Sequence, residues 1–355
     1  MQNKIFNDLF VLELANNHWG SLDRGIKIIR DYAKVVKKNN IKATIKFQFR
    51  DVDNFIHSNY RDNEEIRYIN KTIKTKISWN DIRIMLAEVA EQGMLTMATP
   101  FDEFSVLKCK ELNVDLVKIA SSDAKDKNLI KKICNLKIPT IASSGGCSLE
   151  NLDWMYNYFK KSNIPFALNH CVSLYPSEDN QLELNQIDFL KKRYNDIVIG
   201  FSSHEYTSWD YSMMIAYAKG ARTFERHIDI DFNNIPVSKY CSLPGQIDDW
   251  FKAFQKAKDL CGGTEEKIRN IKNEESEYLE KLVRGVYFKK NKKSNSVISS
   301  EDIYFAIPKL EGQLSCQDSY NNIIIKDNVN KDQPLMSDNI IQKKIGDLSD
   351  RFIST

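Results

Sequence analysis

The chain has 355 residues, 42% hydrophobic and 28% charged, enough to bury a large core in one big domain with a small one appended. Its 51 basic and 48 acidic residues leave a net charge of +3, without the basic excess that nucleic-acid or membrane-surface binding needs. No apolar run approaches the roughly 18 residues of a membrane span, and the start, Met1 to Asp8, has no long apolar core. A cytoplasmic protein is the expectation. Seven cysteines without a C-x-x-C spacing, among them Cys109, Cys134 and Cys171, read as reduced, buried side chains and not as a disulfide framework.

In chain order, Asp8 to Ala15 reads as a buried strand ending in Asn16-Asn-His-Trp-Gly20. Ser21 then caps a helix with Ile26, Ile29, Tyr32, Ala33 and Val36 on one face. The next strand, Ala43 to Phe49, places Lys46 and Gln48 on the same side through its period of two. A lysine inside a strand is costly unless its ammonium meets an anion. Glu13 on the first strand and a bound phosphate or carboxylate are the two candidates. Residues 50–77 are charged and lack periodicity, the pattern of a long loop over a rim that carries specificity. Ser78 with Asp81 opens a helix through Ile82, Leu86, Val89 and Ala90, which stops at Gly93.

The rhythm continues with strands at Met94 to Ala98, Asp115 to Ala120, Pro139 to Ser143 and Pro165 to Cys171. They deliver Thr99, then Lys118 and Ser121, then Ser143, Ser144 and a glycine pair at 145–146, then Ser173 and Tyr175. Two further apolar runs, Ile197 to Gly200 and Ala221 to Phe224, flank a helix from Trp209 to Lys219. That is a β-α-β unit with parallel strands, and it brings Ser202 with His204 beside Glu225 with His227. Eight such units predict an α/β protein of the closed (β/α)8 TIM-barrel class, with its chemistry at the carboxyl ends of the strands. Two cations and a ring of hydroxyls, with glycines that let backbone N–H groups come close, suit a phosphate-bearing anionic substrate. His204 and His227 read equally as a metal pair or as hydrogen-bonded rim histidines.

Taken together, Glu13 with Asn17-His-Trp-Gly20, Lys46-Phe-Gln48, Thr99-Pro-Phe-Asp102, Lys118-Ile-Ala-Ser121, Ser143-Ser-Gly145, His170-Cys171 with Tyr175-Pro176, Gly200-Phe-Ser-Ser-His204 and Glu225-Arg-His227 resemble the sialic acid synthases and their nonulosonic acid relatives. The motifs come in that family's order along most of the first 260 or so residues. The resemblance implies a barrel that condenses phosphoenolpyruvate with the aldehyde of an open-chain aldose, giving a 3-deoxy-2-keto acid and phosphate for surface glycans such as capsules. It implies a divalent metal, Mn²⁺ or Mg²⁺, on His204 and His227, which with Glu13 and Glu225 form the catalytic set. Lys46, Thr99, Lys118, Ser121, Ser143, Ser144, Ser173 and Ser202 would hold phosphate and carboxylate, with Gln48 and Tyr175 shaping the site. An octulosonate-type synthase, an aldolase on the same barrel and a non-catalytic sugar-binding homologue are the rival readings.

The resemblance extends to the carboxyl end. The barrel is expected over 1–263, a charged helical linker over 264–283, and a small β-rich antifreeze-like (SAF) domain over 284–355, built on Gly285 to Phe288, Ile303 to Phe305 and Ile323 to Ile325. In the family this domain covers the barrel mouth of a partner, so a domain-swapped homodimer is implied by resemblance only. The chain also departs from the pattern. The family's serine-aspartate-histidine is Ser202-Ser203-His204, its glutamate-lysine-histidine is Glu225-Arg226-His227, an acidic-histidine motif gives way to Pro236-Val-Ser-Lys-Tyr240, and an arginine-proline that meets the acceptor's N-acetyl group is Ile307-Pro308. The departures fall on the acceptor side, which leaves the sugar open.

Overall fold

Along the barrel strands the inward side chain changes from apolar to polar within two residues, and that change separates a plug from a site. The strands are β1 (Leu9–Ala15), β2 (Ala43–Phe49), β3 (Leu95–Pro100), β4 (Leu116–Ile119), β5 (Thr140–Ser143), β6 (Phe166–Cys171), β7 (Val198–Ser203) and β8 (Thr223–His227), closed in sequence order with every pairing parallel. Leu9, Val11, Met97, Leu116, Ile141 and Ala167 cluster with Phe6 as the plug. Two residues further along the same strands stand Glu13, Thr99, Lys118, Ser143 and Asn169, all buried. A side-chain period of two keeps both sets on the inner face. This computed structural model describes residues 2–61, 63, 65–263, 268–318 and 323–342, and the chain divides into two compact units, Met1–Gly262 and Gly263–Thr355.

The helices of the first unit are α1 (Leu22–Asn39), α2 (Val52–Phe55), α3 (Arg67–Lys74), α4 (Trp79–Glu91), α5 (Glu103–Glu111), α6 (Lys127–Asn135), α7 (Leu149–Lys161), α8 (Asn185–Arg193), α9 (Trp209–Ala218) and α10 (Pro244–Cys261). The two predicted caps are present, with Ser21 accepting from the Arg24 N–H and Ser78 from the Asp81 N–H. Each such cap is worth about 1 kcal/mol. Phe10 on β1 is met edge-on by Trp250, Phe251 and Phe254 of α10, with ring centroids 4.9, 5.0 and 4.9 Å away. Edge-to-face packing of that kind adds to the burial term and ties the last helix to the first strand.

One expectation needs correcting here. Residues 50–77 are not one long loop, because they contain α2 and α3. α3 buries no side chain and follows Ile66 without a side-chain cap, so no start signal marks it, although Ile66, Ile69 and Ile73 recur at helical spacing. Strands β7 and β8 also run three residues beyond the apolar stretches, which puts Ser202 and Glu225 inside strands and His227 at a strand's last position.

The second unit opens with α11 (Asn273–Glu280) and continues with β9 (Gly285–Phe288), β10 (Val297–Ile298), β11 (Ile303–Ala306), β12 (Ile323–Ile325) and β13 (Ile340–Gln342). They form an antiparallel β9–β11 pair and a three-stranded sheet ordered β10-β12-β13. Val286, Phe288, Ile298, Ile303, Ile323, Ile325 and Leu335 are its core. Residues 264–267 of the expected linker, and 319–322 and 343–355 of the expected small domain, lie outside the described residues. Among the described residues no helix is long and apolar enough to cross a membrane.

Candidate active site

Strand register brings the polar layer together at the carboxyl ends of the strands. Glu13 pairs in register with Lys46 on one side and with His227 on the other, and Ser202 pairs with Glu225. Lys46 Nζ lies 2.8 Å from Glu13 Oε2 and 2.8 Å from Glu225 Oε1. Lys118 Nζ donates to both oxygens of Glu225, at 2.9 and 2.8 Å, and Ser202 Oγ donates to Oε1 at 3.2 Å. Gln48 Nε2 donates to Glu13 Oε1 at 3.1 Å. Glu13, Lys46, Lys118 and Glu225 are 1, 4, 2 and 4% exposed, and isolated charges so deep would each cost several kcal/mol. Two ammoniums and two carboxylates offset one another. Burial alone would raise the Glu225 carboxyl, but Lys118 and Lys46 outweigh it and hold the group well below the usual carboxylate range. Of the two partners offered to Lys46 by the sequence, Glu13 is therefore present, joined by Glu225.

Above this cluster opens a cavity of about 370 Å³, lined by Glu13, Lys46, Gln48, Thr99, Lys118, Ser121, Ser143, Ser173, Tyr175, Ser202, His204, Glu225 and His227 among others. All the predicted site residues but one thus face a single space. The exception is Ser144, whose hydroxyl accepts the Cys171 N–H at 3.2 Å and which lines a neighbouring cavity with Cys147 and His170. Gly145 packs directly against two hydroxyls of the wall. A Cβ there would stand 2.2 Å from Ser173 Oγ and 2.5 Å from Ser121 Oγ, whereas Gly146 has open space and a φ of +65°. Thr99 Oγ1 is buried with no hydrogen-bond partner, a hydroxyl left for whatever enters.

The histidines sit side by side with ring centroids 5.4 Å apart, and the Tyr175 ring stands 4.1 Å from His204 and 5.9 Å from His227. His204 is not on a solvated rim, since it is 3% exposed. Its Nδ1 is 2.9 Å from the Val172 carbonyl, which fixes that nitrogen as the N–H. His227 Nδ1 is buried without a partner. Burial, then the charges of His204 and Lys46, hold the His227 imidazole well below its ordinary range, so it is neutral. Two imidazoles beside one cavity fit part of a metal shell. Among the described residues no group of three or more His, Cys, Asp or Glu is arranged to hold an ion, so most positions of any ion there would fall to water and substrate.

Several groups at the site were not singled out from the sequence. Cys171 was read as a buried thiol, and it is one, but its Sγ lies in the cavity wall 3.6 Å from Ser121 Oγ and 3.7 Å from Ser173 Oγ. Burial alone would raise it, whereas the hydrogen bond and charge of His204, with Ser121 and Lys118, bring it down to about 6. Phe101 and Ser122 also line the cavity. For Cys171 a signal existed, since it lies two residues beyond Asn169 and four beyond Ala167 on the inward face of β6.

A parallel barrel with its buried charges at the strands' carboxyl ends is the architecture of a (β/α)8 enzyme. Residues 35–266 match the NeuB family, and the chain belongs to that family, with which it shares the class of carbon–carbon bond-forming synthases. It is similar to the N-acetylneuraminate-9-phosphate synthase of Drosophila melanogaster, at 28% identity over 69% of this chain and 67% of that one. It is similar to the pseudaminic acid synthase of Campylobacter jejuni, at 27% identity over 82% and 85% of the two chains. Among solved structures, a Chromobacterium violaceum protein described as spore coat polysaccharide biosynthesis protein E superimposes with a TM-score of 0.88 at 28% identity, covering 94% of this chain and 100% of that one. The sialic acid synthetase of Leptospira borgpetersenii, in complex with citrate, gives a TM-score of 0.67 at 26% identity over 77% and 91%.

Proposed function

We propose that the chain condenses phosphoenolpyruvate with the aldehyde of an open-chain aldose, forming a nonulosonic-type 3-deoxy-2-keto acid and inorganic phosphate. The observation that carries this is the placing of Lys46 and Lys118, both buried, in the same cavity as the His204–His227 pair. C3 of phosphoenolpyruvate bonds to the aldehyde carbon while water adds at C2 and gives one proton to the aldehyde oxygen; the C2–O bond to phosphate then breaks, phosphate departs with the bridging oxygen and the second water proton, and C2 is left as the ketone. Lys46 and Lys118 would hold the phosphate and carboxylate with Thr99, Ser121, Ser143, Ser173 and Ser202. Glu13 and Gln48 would take acceptor hydroxyls, and Tyr175 would cover the histidines.

Charge balance supports a divalent ion, Mn²⁺ or Mg²⁺, at His204 and His227. The two lysines already face two carboxylates and burial brings Lys46 down to about 7, so the cluster has no positive charge to spare, while a phosphate monoester brings about −1.5 to −2 and a carboxylate about −1 more. An ion there would supply Lewis-acid polarisation of the aldehyde oxygen. The His204–His227 pair beside the lysines argues against a bare sugar-binding module, which has no need of a metal. The test is phosphate release from phosphoenolpyruvate with a panel of aldoses, with and without each metal. Ile307, 63% exposed where the family arginine is expected, makes N-acetylmannosamine a poor acceptor in this reading. Release with no aldose in the panel, or a strong preference for N-acetylmannosamine, would count against the reaction or the acceptor reading respectively.

A further inference from the structure

The hydrogen-bonded chain does not stop at Gln48. Arg50 Nη1 donates to Gln48 Oε1 at 2.7 Å, and Gln48 Nε2 donates to Glu13 Oε1 at 3.1 Å. A guanidinium has five donors and no acceptor, and an ionised carboxylate has only acceptors. The Gln48 amide is held between the two. Turned over, it would set its NH₂ against the guanidinium and its oxygen against the Glu13 carboxylate, two repulsive contacts in place of two hydrogen bonds. One amide N–H of Gln48 stays uncommitted in the observed orientation.

Arg50 is itself held in place. Its guanidinium lies 3.7 Å from the ring centroid of Phe101, a wall residue of the cavity, and 5.6 Å from that of Phe55. The backbone on both sides is anchored to the same segment, with the Phe101 N–H donating to the Phe49 carbonyl at 3.1 Å and the Asp51 N–H to Asp102 Oδ2 at 2.8 Å. Burial lowers the guanidinium to about 10, against Asp123 and Asp102, so it remains a cation at neutral pH. Arg50 is absent from the cavity wall while Gln48 and Phe101 belong to it.

We infer that Arg50 is a positioning residue, which locks the Gln48 amide so that it presents N–H and not C=O to the acceptor sugar. The kinetic part of its test rests on the condensation proposed above; the spectroscopic part does not. Protein labelled with ¹⁵N-glutamine gives a Gln48 side-chain NH₂ signal, identified by its loss in Gln48→Met. It should show two sharp, inequivalent protons in the native chain, the one held by Glu13 exchanging slowly, and should broaden or exchange faster in Arg50→Met, with Arg50→Lys in between. An unchanged signal in Arg50→Met would overturn the inference whatever the enzyme's substrate. In kinetics, Arg50→Met should raise the acceptor KM about tenfold, the size of one hydrogen bond, and leave the phosphoenolpyruvate KM within about twofold. Arg50→Met added to Gln48→Met should then cost nothing more. A further several-fold loss in that background would mean that Arg50 touches the sugar itself and would also overturn it. A native chain inactive with every aldose, but with the NMR result intact, would remove the condensation and leave the Arg50–Gln48 lock standing.

Discussion

Arg226 and Glu205 form a fully buried ion pair, Nη1 to Oε1 3.3 Å, and each is the immediate chain neighbour of one of the two site histidines. Arg226 also donates to Ser242 Oγ at 2.5 Å, to Ser203 Oγ at 3.0 Å and to the Glu205 carbonyl at 2.6 Å. Ser212 Oγ donates to Glu205 from α9. The network lies behind His204 and His227 and fixes the ends of β7 and β8 against each other. A lysine, which the family pattern has at this place, cannot make these planar contacts simultaneously.

From this network follows a prediction for Arg226→Met. It leaves a buried carboxylate unpaired and should destabilise the barrel by about 3–5 kcal/mol, while Arg226→Lys should cost about 1–2 kcal/mol through lost hydrogen bonds. All 5 tryptophans lie within the first unit, so denaturant unfolding followed by their fluorescence reads this unit alone. Both variants should also weaken Mn²⁺ binding measured by calorimetry, although no ligand is altered. Unchanged Mn²⁺ affinity in folded Arg226→Lys would detach the network from the histidine pair.

Lys118→Met keeps the length of the side chain and removes its charge. Glu225 would retain Lys46 and Ser202 as partners, so the fold should survive. Loss of one charge-assisted contact to the substrate is worth about 1.5–3 kcal/mol, which predicts a rise of roughly 10- to 150-fold in the phosphoenolpyruvate KM. The acceptor KM should change far less. Equal changes in both would place Lys118 outside the anion site.

His227→Ala tests the ion. Its Nδ1 already lacks a protein partner, so the substitution strands no donor and should leave the unfolding transition within about 1 kcal/mol of the native one. Turnover and Mn²⁺ binding should both be lost. Near-normal, EDTA-sensitive activity in this variant would sink the assignment.

Much of this arrangement could be read before any coordinates, because strands have a period of two. Lys46 and Gln48 were placed on one side of β2 for that reason, and both line the cavity. Ser143 is the last residue of β5 and Ser144 stands just beyond it, where the period of two no longer decides which way a side chain faces. Of the two, Ser143 lines the cavity and Ser144 lines the neighbouring one. What no local pattern contains is the pairing of distant charges. Nothing near Glu205 announces Arg226, and nothing in the Lys46 strand says that Glu225, 179 residues on, will share its ammonium. α3 does carry a helical spacing, at Ile66, Ile69 and Ile73, but no side-chain cap marks its start.

The last prediction concerns acid stability in the second unit and has no bearing on the site. Asp302, 4% exposed, meets Lys290 and Lys292 at 2.9 Å each and accepts the Ser299 N–H at 3.0 Å. The Ser299 N–H comes first among the influences and, with the two lysines, outweighs burial to hold the carboxyl well below its usual range. A carboxylate whose folded pKa is depressed binds fewer protons folded than unfolded, so its stabilisation is full above the unfolded value of about 3.9 and fades as pH falls through that value toward the folded one. Asp302→Asn should therefore destabilise this unit by about 1–3 kcal/mol at neutral pH, and the difference from the native chain should shrink below about pH 4. Hydrogen exchange of the 285–306 segment, which holds β9, β10 and β11, reads it locally. A gap between the two proteins that stayed constant from pH 7 to 3 would show that the ionised carboxylate is not what Asp302 contributes.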